Sequence, residues 1–182
     1  MNQKNIVLGL GAVVVLTLLV GASFLYKKPA KVVTAEINSF EECAKVYPVM
    51  ESYPPQCATV DGKSFTQDIG NELSKLDLIT IDTPRPNTSV SSPLLIEGTA
   101  RGTWFFEASF PVELQDENGT VLAQGPAQAQ GDWMTEDFVP YKLTLNFPKQ
   151  VSGSKGKLIL KKDNPSGEPS RDDSLIVPIV FK

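Results

Sequence analysis

The sequence contains no histidine and only two cysteines among its 182 residues. The absence of histidine excludes a Ser-His-Asp triad, a Cys-His dyad, a histidine general base and a His-ligated zinc or haem site. Two cysteines are too few for a Cys₄ zinc or iron–sulfur site. We therefore expect a protein that is not an enzyme and that has no cofactor and no metal site.

The charge balance is acidic and uneven, with 21 acidic against 17 basic residues and a net charge of −4. Four lysines precede the first acidic residue, Glu36. From Val32 onward, 13 basic residues stand against 21 acidic ones, a net charge of −8. An acidic body repels phosphate backbones, and no basic stripe interleaved with aromatic residues is present. We expect no nucleic-acid partner.

One long uncharged run lies near the N-terminus. Ile6 to Tyr26 comprises 21 residues without a charge, which as a helix spans about 30 Å, the thickness of a bilayer core. We predict that residues 1–26 form a transmembrane anchor in contact with membrane lipid. A cleaved signal peptide is the first alternative, since Val20-Gly21-Ala22 suits signal peptidase. A buried core helix is the second.

Residues 39–70 are predicted to form a small module. Ser39 and Glu42 make an S-x-x-E capping box, which indicates a short helix beginning at Phe40. Val60 to Lys63 is a tight turn signal between two extended segments. About 30 residues bury little core, and modules of this size usually need a staple.

The staple is predicted to be a disulfide between Cys43 and Cys57. It would close a loop of 15 residues, worth about 3 kcal/mol in the chain-entropy model. The alternative is a redox or metal pair, but the C-x-x-C spacing and a third ligand are both missing. The lysine count around the anchor favours a cytoplasmic body. Disulfides persist outside the cytoplasm. We give this argument more weight than the lysine count, and we therefore predict a single-pass protein of the cell membrane with an extracytoplasmic body.

The same residues carry a resemblance. Phe40-Glu-Glu-Cys43, the run Pro48-Val-Met-Glu-Ser-Tyr-Pro-Pro-Gln-Cys57 and Asp61-Gly-Lys-Ser-Phe65 resemble a short two-cysteine module of small anchored proteins from uncultivated bacterial lineages. The resemblance implies no activity. Residues 27–38 are predicted to be a linker, and residues 71–77 a second linker or a short helical turn.

Period-two alternation dominates residues 78–182. Trp104, Phe106, Ala108, Phe110, Val112 and Leu114 alternate with mostly polar residues, which predicts one half-buried strand. Six further strands are predicted at 78–81, 94–98, 120–124, 141–147, 157–162 and 175–181. Asp116 to Gly119 is the clearest hairpin turn. About seven short strands separated by Gly, Pro and Asn turns predict an all-β fold, a β-sandwich of immunoglobulin type.

This region also resembles a known family. Ile79-Thr-Ile-Asp-Thr-Pro84, Val90-Ser-Ser-Pro-Leu94, Ile96-Glu-Gly-Thr-Ala100, Phe106-Glu-Ala108 and Leu114-Gln-Asp-Glu-Asn-Gly119 are similar to the immunoglobulin-like domain of bacterial spore germination proteins. The resemblance implies an extracytoplasmic β-sandwich for binding or assembly at the envelope. It brings no catalytic motif.

Candidate binding residues are Trp133 and Met134, which stand in a turn-rich segment and suit an exposed contact patch. The alternative is that Trp133 closes one end of the core. Trp104 and Phe105 adjoin, so on an alternating strand one of them faces out of the core. Phe105 is therefore a third candidate for ligand binding or for packing against the cysteine module.

Acidic residues give two weaker candidates. Oxygen ligands for Ca²⁺ occur in the 116–118 turn and in the segment 163–173, but neither has EF-hand spacing, so solvated turns are the simpler interpretation. Paired carboxylates for glycoside hydrolysis could be drawn from four acids: Glu107, Glu113, Asp132 and Glu136. A small sandwich offers no obvious cleft for such chemistry.

The predicted function is that of a non-catalytic binding or scaffolding protein of the bacterial cell envelope, whose partner is an envelope protein or a wall polymer. The alternatives are an accessory subunit of an envelope or secretion complex and a wall-glycan hydrolase. The oligomeric state does not follow from the sequence.

Overall fold

The computed structural model describes residues 36–182, so the predicted anchor and most of the first linker lie outside the described residues. Within residues 36–182, no helix combines the length and the apolar character that a membrane span requires. Residues 39–182 form one compact unit.

The two-cysteine module has the predicted elements. Helix α1 spans Phe40–Ala44, and Ser39 Oγ accepts a hydrogen bond of 3.1 Å from the backbone N–H of Glu42, as the capping box predicts. Three short strands follow in the order β1-β2-β3, all antiparallel. They are β1 (Val49–Met50), β2 (Gln56–Ala58) and β3 (Ser64–Thr66).

The predicted disulfide between Cys43 and Cys57 is confirmed. Both cysteines are fully buried. The bridge joins α1 to the central strand β2 and is the core of this module.

Eight strands build the larger part of the molecule. They are β4 (Ile79–Thr83), β5 (Ser89–Val90), β6 (Leu94–Arg101), β7 (Ser109–Asp116), β8 (Val121–Ala129), β9 (Phe138–Leu145), β10 (Lys155–Lys161) and β11 (Ser174–Phe181). Three single 3₁₀ turns lie at Glu72–Ser74, Gly102–Trp104 and Pro169–Arg171. The predicted all-β fold is confirmed.

The eight strands run in the order β4-β6-β9-β8-β7-β10-β11-β5. Strands β8 and β9 pair only through two residues of each, Gln128–Ala129 with Tyr141–Lys142. The order therefore divides there into two halves, β4-β6-β9 and β8-β7-β10-β11-β5. Alternate residues of both halves meet in one buried core that includes Ile96, Tyr141, Phe110, Leu158 and Leu175.

Two strand predictions need correction. The eighth strand, β5, is only two residues long and pairs parallel with β11, so it is too short to show a period of two. The predicted continuous strand from Trp104 is wrong, because a 3₁₀ turn ends at Trp104 and the strand begins only at Ser109. Trp104 and Phe105 are consequently both buried, 1% and 5% exposed.

Residues 68–75 form a strap along the outer edge of β11. The side chain of Asn71 donates to the carbonyl of Ser174 at 2.8 Å and accepts from the N–H of Ile176 at 2.7 Å. One amide side chain thus replaces a neighbouring strand at this edge. The short helical turn expected in residues 71–77 is present as the 3₁₀ turn Glu72–Ser74.

The strap lies very close to β11. A Cβ atom on Gly70 would lie 1.9 Å from the carbonyl oxygen of Ile176, and Gly70 has a φ of +72°. Only glycine fits both conditions. Further along the edge, the carbonyl of Pro178 accepts from the N–H of Asn87 at 2.7 Å, while Pro178 itself has no N–H to satisfy. The outer edge of β11 is therefore covered as far as β5.

A buried carboxylate joins the module to the sandwich. Glu72 is 2% exposed. Its carboxylate forms an ion pair with Arg85, whose Nη1 lies 2.7 Å from Oε1, and accepts a hydrogen bond from the hydroxyl of Tyr53. Arg85 Nη2 donates to the same hydroxyl at 2.7 Å. Tyr53 belongs to the module and Arg85 follows β4, so this cluster holds the two parts together.

The cluster changes the pKa of Tyr53. Burial disfavours the phenolate, and the hydrogen bond to the Glu72 carboxylate disfavours it further, so the pKa of Tyr53 rises to about 12. The folded protein therefore favours the neutral phenol more strongly than the unfolded chain does, in which a tyrosine has a pKa of about 10.

We predict that Tyr53→Phe destabilises the protein, because it removes a donor from a buried carboxylate. The expected loss is about 1–3 kcal/mol, measured by guanidinium unfolding at pH 8. Tyr47→Phe is the matched control in the same module and should cost less. Below pH 10 the difference between wild type and Tyr53→Phe should be constant. It should shrink as the pH rises from about 10 towards 12, since the unfolded state then loses its proton first. Equal stability of both variants at pH 8 would contradict the assigned role of the Tyr53 hydroxyl.

Candidate interaction surface

Three cross-strand neighbours present their side chains to solvent at one end of the β4-β6-β9 half. The N–H of Arg101 donates to the carbonyl of Leu78 at 2.8 Å, and Arg101 pairs with Phe138 in the β6–β9 register. Their chain neighbours are buried: Ile79, Ala100 and Val139. Because successive side chains of a strand point to opposite faces, Leu78, Arg101 and Phe138 share the outer face.

Arg101 is held in one orientation. Its guanidinium carbon lies 4.2 Å from the centroid of the Phe138 ring, a cation–π contact. Its Nε donates to the carbonyl of Asp77 at 3.0 Å, and its Nη1 donates to the carbonyl of Glu136 at 3.1 Å. The side chain of Arg101 therefore ties the start of β4 to the loop before β9.

The loop 131–137 packs directly on the backbone of Gly102. The N–H of Gly102 donates to the carbonyl of Asp137 at 3.1 Å. A Cβ atom at this position would lie 1.9 Å from the carbonyl oxygen of Thr135 and 2.3 Å from that of Trp133. This close approach fixes the distance between the loop 131–137 and the end of β6.

Local hydrogen bonds shape the same loop. The carboxylate of Asp132 accepts from the N–H of Met134 at 3.1 Å, and Thr135 Oγ1 accepts from the N–H of Asp137 at 3.2 Å. Met134 is consequently turned outward and is 77% exposed. Trp133 is half-buried and packs against the core.

We call the group of Leu78, Arg101, Met134 and Phe138 the Phe138 surface. Four exposed acidic residues belong to the same segments: Asp77, Asp132, Glu136 and Asp137. The Phe138 surface combines apolar side chains, one fixed guanidinium and an acidic rim.

A neighbouring tight turn explains which phenylalanine is exposed. Phe106 and Ser109 exchange two backbone hydrogen bonds of 2.9 and 3.1 Å. Between them, Glu107 and Ala108 have φ values of +48° and +62°, the left-handed conformations of a type I′ turn, which usually holds Asn-Gly. This turn interrupts the alternation, so Phe106 is 42% exposed.

The candidate binding residues therefore have different outcomes. Met134 is exposed, and Trp133 packs at the end of the core. Phe105 as an exposed binding residue is wrong: its ring packs edge-on against Phe110, with centroids 5.2 Å apart. The exposed aromatic residues Phe106 and Phe138 were missed. The alternation of residues 104–114 placed Phe106 on the buried face, and Phe138 stands at the first position of a strand.

The acidic segments considered for Ca²⁺ organise their own turns. Asp116 accepts from the N–H groups of Asn118 and Thr120 at 2.9 and 2.8 Å, and these backbone bonds, with that of Thr120 first, lower its pKa. Asn164 donates to the Asp172 carboxylate at 2.8 Å beside a polar cleft of about 590 Å³. Within residues 36–182, no group of three or more acidic or cysteine side chains is placed to hold a metal ion.

Comparison with known families decides the fold family. A family model described as the immunoglobulin-like domain of bacterial spore germination matches residues 78–168, half of the chain. The chain belongs to this family. A search of curated proteins found no significant match.

The family domain begins one residue before β4 and its match ends before β11. Leu78, Arg101, Met134 and Phe138 all lie within the matched region. The two-cysteine module and the strap of residues 68–75 lie outside it. The Phe138 surface is thus part of the family domain. The cover of the β11 edge is divided: the strap comes from the segment before residue 78, whereas Asn87 and β5 lie within the matched region.

We predict that Gly102→Ala displaces the loop 131–137, because the added methyl group has no space below Thr135. The expected cost is about 1–3 kcal/mol, as for other overpacked sites, together with chemical-shift changes at Trp133 and Met134. Gly125→Ala is the control, since its Cβ would meet the Leu145 and Leu143 side chains at 3.4 and 3.5 Å. Equal effects of both substitutions in thermal unfolding would contradict the close packing at Gly102.

Proposed function

We propose that this chain is a membrane-anchored, extracytoplasmic, non-catalytic binding or scaffolding protein of the bacterial cell envelope, and that it contacts its partner through the Phe138 surface. The observation that carries the proposal is the exposure of Phe138 against the fixed guanidinium of Arg101, with the exposed Met134 in the loop that leads into Phe138. Aromatic residues, methionine and arginine are the side chains enriched at protein interfaces.

Rigidity supports this use of the surface. Arg101 and Phe138 pair at the ends of β6 and β9, and Leu78, which directly precedes β4, accepts a backbone hydrogen bond from Arg101. The loop of Met134 packs on the backbone of Gly102. A surface that is ordered before binding loses little conformational entropy when a partner docks. The rigidity of the Phe138 surface therefore favours a binding role over a role in which the loop 131–137 has to rearrange.

The non-catalytic assignment has separate support. The sequence offers no histidine as a base. Of the four carboxylates considered for glycoside hydrolysis, Glu113 forms an ion pair with Lys161, which lowers its pKa. A general acid needs a raised pKa instead.

The location rests on two features. The uncharged run Ile6–Tyr26 has the length of a membrane span. The buried Cys43–Cys57 disulfide suits an oxidising compartment. Since the disulfide is the core of the module that carries Tyr53, a reducing compartment would also weaken the junction with the sandwich.

We expect protease added to intact spheroplasts to remove the C-terminal domain, and Cys43 and Cys57 to be oxidised on the same gel. A cytoplasmic marker protein should survive the digestion. A protected body with two free thiols would place the protein on the cytoplasmic side and overturn the proposed location.

We expect in-cell photo-crosslinking to identify the contact face. A benzophenone amino acid at position 134 should give a specific product with an envelope protein or with wall material. Val151 is the matched control position, because it is 77% exposed like Met134 and belongs to a different loop. A product with one defined protein would favour the accessory-subunit form of this proposal, whereas transfer to wall polymer would favour a wall-binding form.

The proposed use of the Phe138 surface fails if position 134 gives no product, or if positions 134 and 151 give the same products. Phe138→Ala in the chain labelled at position 134 should abolish the product without unfolding the protein. Persistence of the product in that variant would also count against the surface.

A further inference from the structure

The rim of the Phe138 surface is strongly acidic. The backbone carbonyls of Asp77 and Glu136 accept hydrogen bonds from the Arg101 side chain. The backbone carbonyl of Asp137 accepts from the N–H of Gly102, and the carboxylate of Asp132 accepts from the N–H of Met134. All four are exposed. None of their carboxylates forms an ion pair within residues 36–182.

Arg101 offsets only part of this negative charge. Its guanidinium covers one side of Phe138 and donates to two neutral backbone carbonyls, so it keeps its single positive charge, against four carboxylates in the rim. It is the only basic residue in the segments 76–78, 101–109 and 130–138. The local field at the surface is therefore negative.

The apolar part of the surface is small and discontinuous. Met134 is 77% exposed, and Leu78 and Phe138 are 37% and 36% exposed. An area of this kind accommodates a few side chains and is smaller than a whole-domain interface. The partner element that fits is a short segment rather than a second sheet.

We infer that the Phe138 surface binds a protein segment in which lysine or arginine residues alternate with aliphatic or aromatic ones. This inference rests on the proposed function and adds the chemistry of the partner. The apolar side chains of the segment contact Met134, Leu78 and Phe138, and its cations meet the carboxylates of the rim. Charge complementarity of this type increases association rates and selects against acidic partners.

The same charges argue against other partners. Anionic lipid headgroups and nucleic acids are repelled by the four carboxylates. A neutral glycan gains nothing from them. A basic and apolar protein segment is the class of ligand that uses both components of the surface.

The test uses the full chain in a non-ionic detergent, with the benzophenone amino acid at position 134 or at position 151. Three biotinylated peptides of equal length serve as probes: alternating Lys-Leu, alternating Glu-Leu and alternating Lys-Ser. Capture after irradiation is read on a streptavidin blot, so peptide that only binds micelles is not counted. The Lys-Leu peptide should be captured at position 134, more strongly than either other peptide and more strongly than at position 151.

Two charge variants separate the rim from total charge. Glu136→Gln with Asp137→Asn should lower capture of the Lys-Leu peptide by roughly 2- to 30-fold, the range expected for losing two exposed ion pairs. Glu117→Gln with Glu168→Gln removes the same charge from distant exposed turns and should leave capture unchanged. Raising the salt concentration to about 0.5 M should weaken capture by the wild type and have less effect on the rim variant.

Equal capture of the Lys-Leu and Glu-Leu peptides, or equal effects of the two charge variants, would overturn the inference. If the in-cell product at position 134 is then still formed, the proposed function survives and only the partner chemistry is wrong. If the in-cell product is missing as well, both fail.

Discussion

The edge of strand β11 is the constraint on which the rest of this structure depends. An exposed strand edge offers unpaired N–H and C=O groups to any other chain. Here Asn71 pairs with the edge by its side chain, Asn87 takes the carbonyl of Pro178, and β5 completes the cover. None of these three groups covers the whole edge of β11 alone, so the strap has to be held in place.

The buried Glu72 carboxylate holds it. A carboxylate that is 2% exposed is costly unless its oxygens are paired. Arg85 and Tyr53 supply these partners from the sandwich and from the module. Strap, module and sandwich are consequently ordered together, and the disulfide maintains the loop from which Tyr53 projects. With one side of the molecule closed in this way, the exposed apolar groups of the Phe138 surface lie at the opposite end of strand β4 from the Arg85 cluster.

Much of the fold could be predicted from the sequence because it depends on local chemistry. The Ser39 cap, the Val60–Lys63 turn and the Asp116–Gly119 hairpin each follow from residues close in sequence. The staple follows from having two cysteines in a small module. Strand β5 could not be predicted, since two residues carry no periodicity. The turn at Glu107 and Ala108 could not be predicted either, because left-handed backbone at two non-glycine residues is disfavoured locally. It is held here by the backbone bonds between Phe106 and Ser109 and by the bond of 2.8 Å from the N–H of Ala129 to the carbonyl of Ala108.

The sequence by itself therefore determined the class of the fold, the disulfide and the acidic character of the body, since each depends on composition or on short-range patterns. The tertiary structure decided which side chains face solvent. Phe105 entered the core and Phe106 left it because one turn changed the parity of the chain. Arg101 became a fixed element of the Phe138 surface because residues 77, 136 and 138, remote in sequence, meet around it. Contacts between residues so remote in sequence depend on long-range strand pairing, which no local pattern encodes.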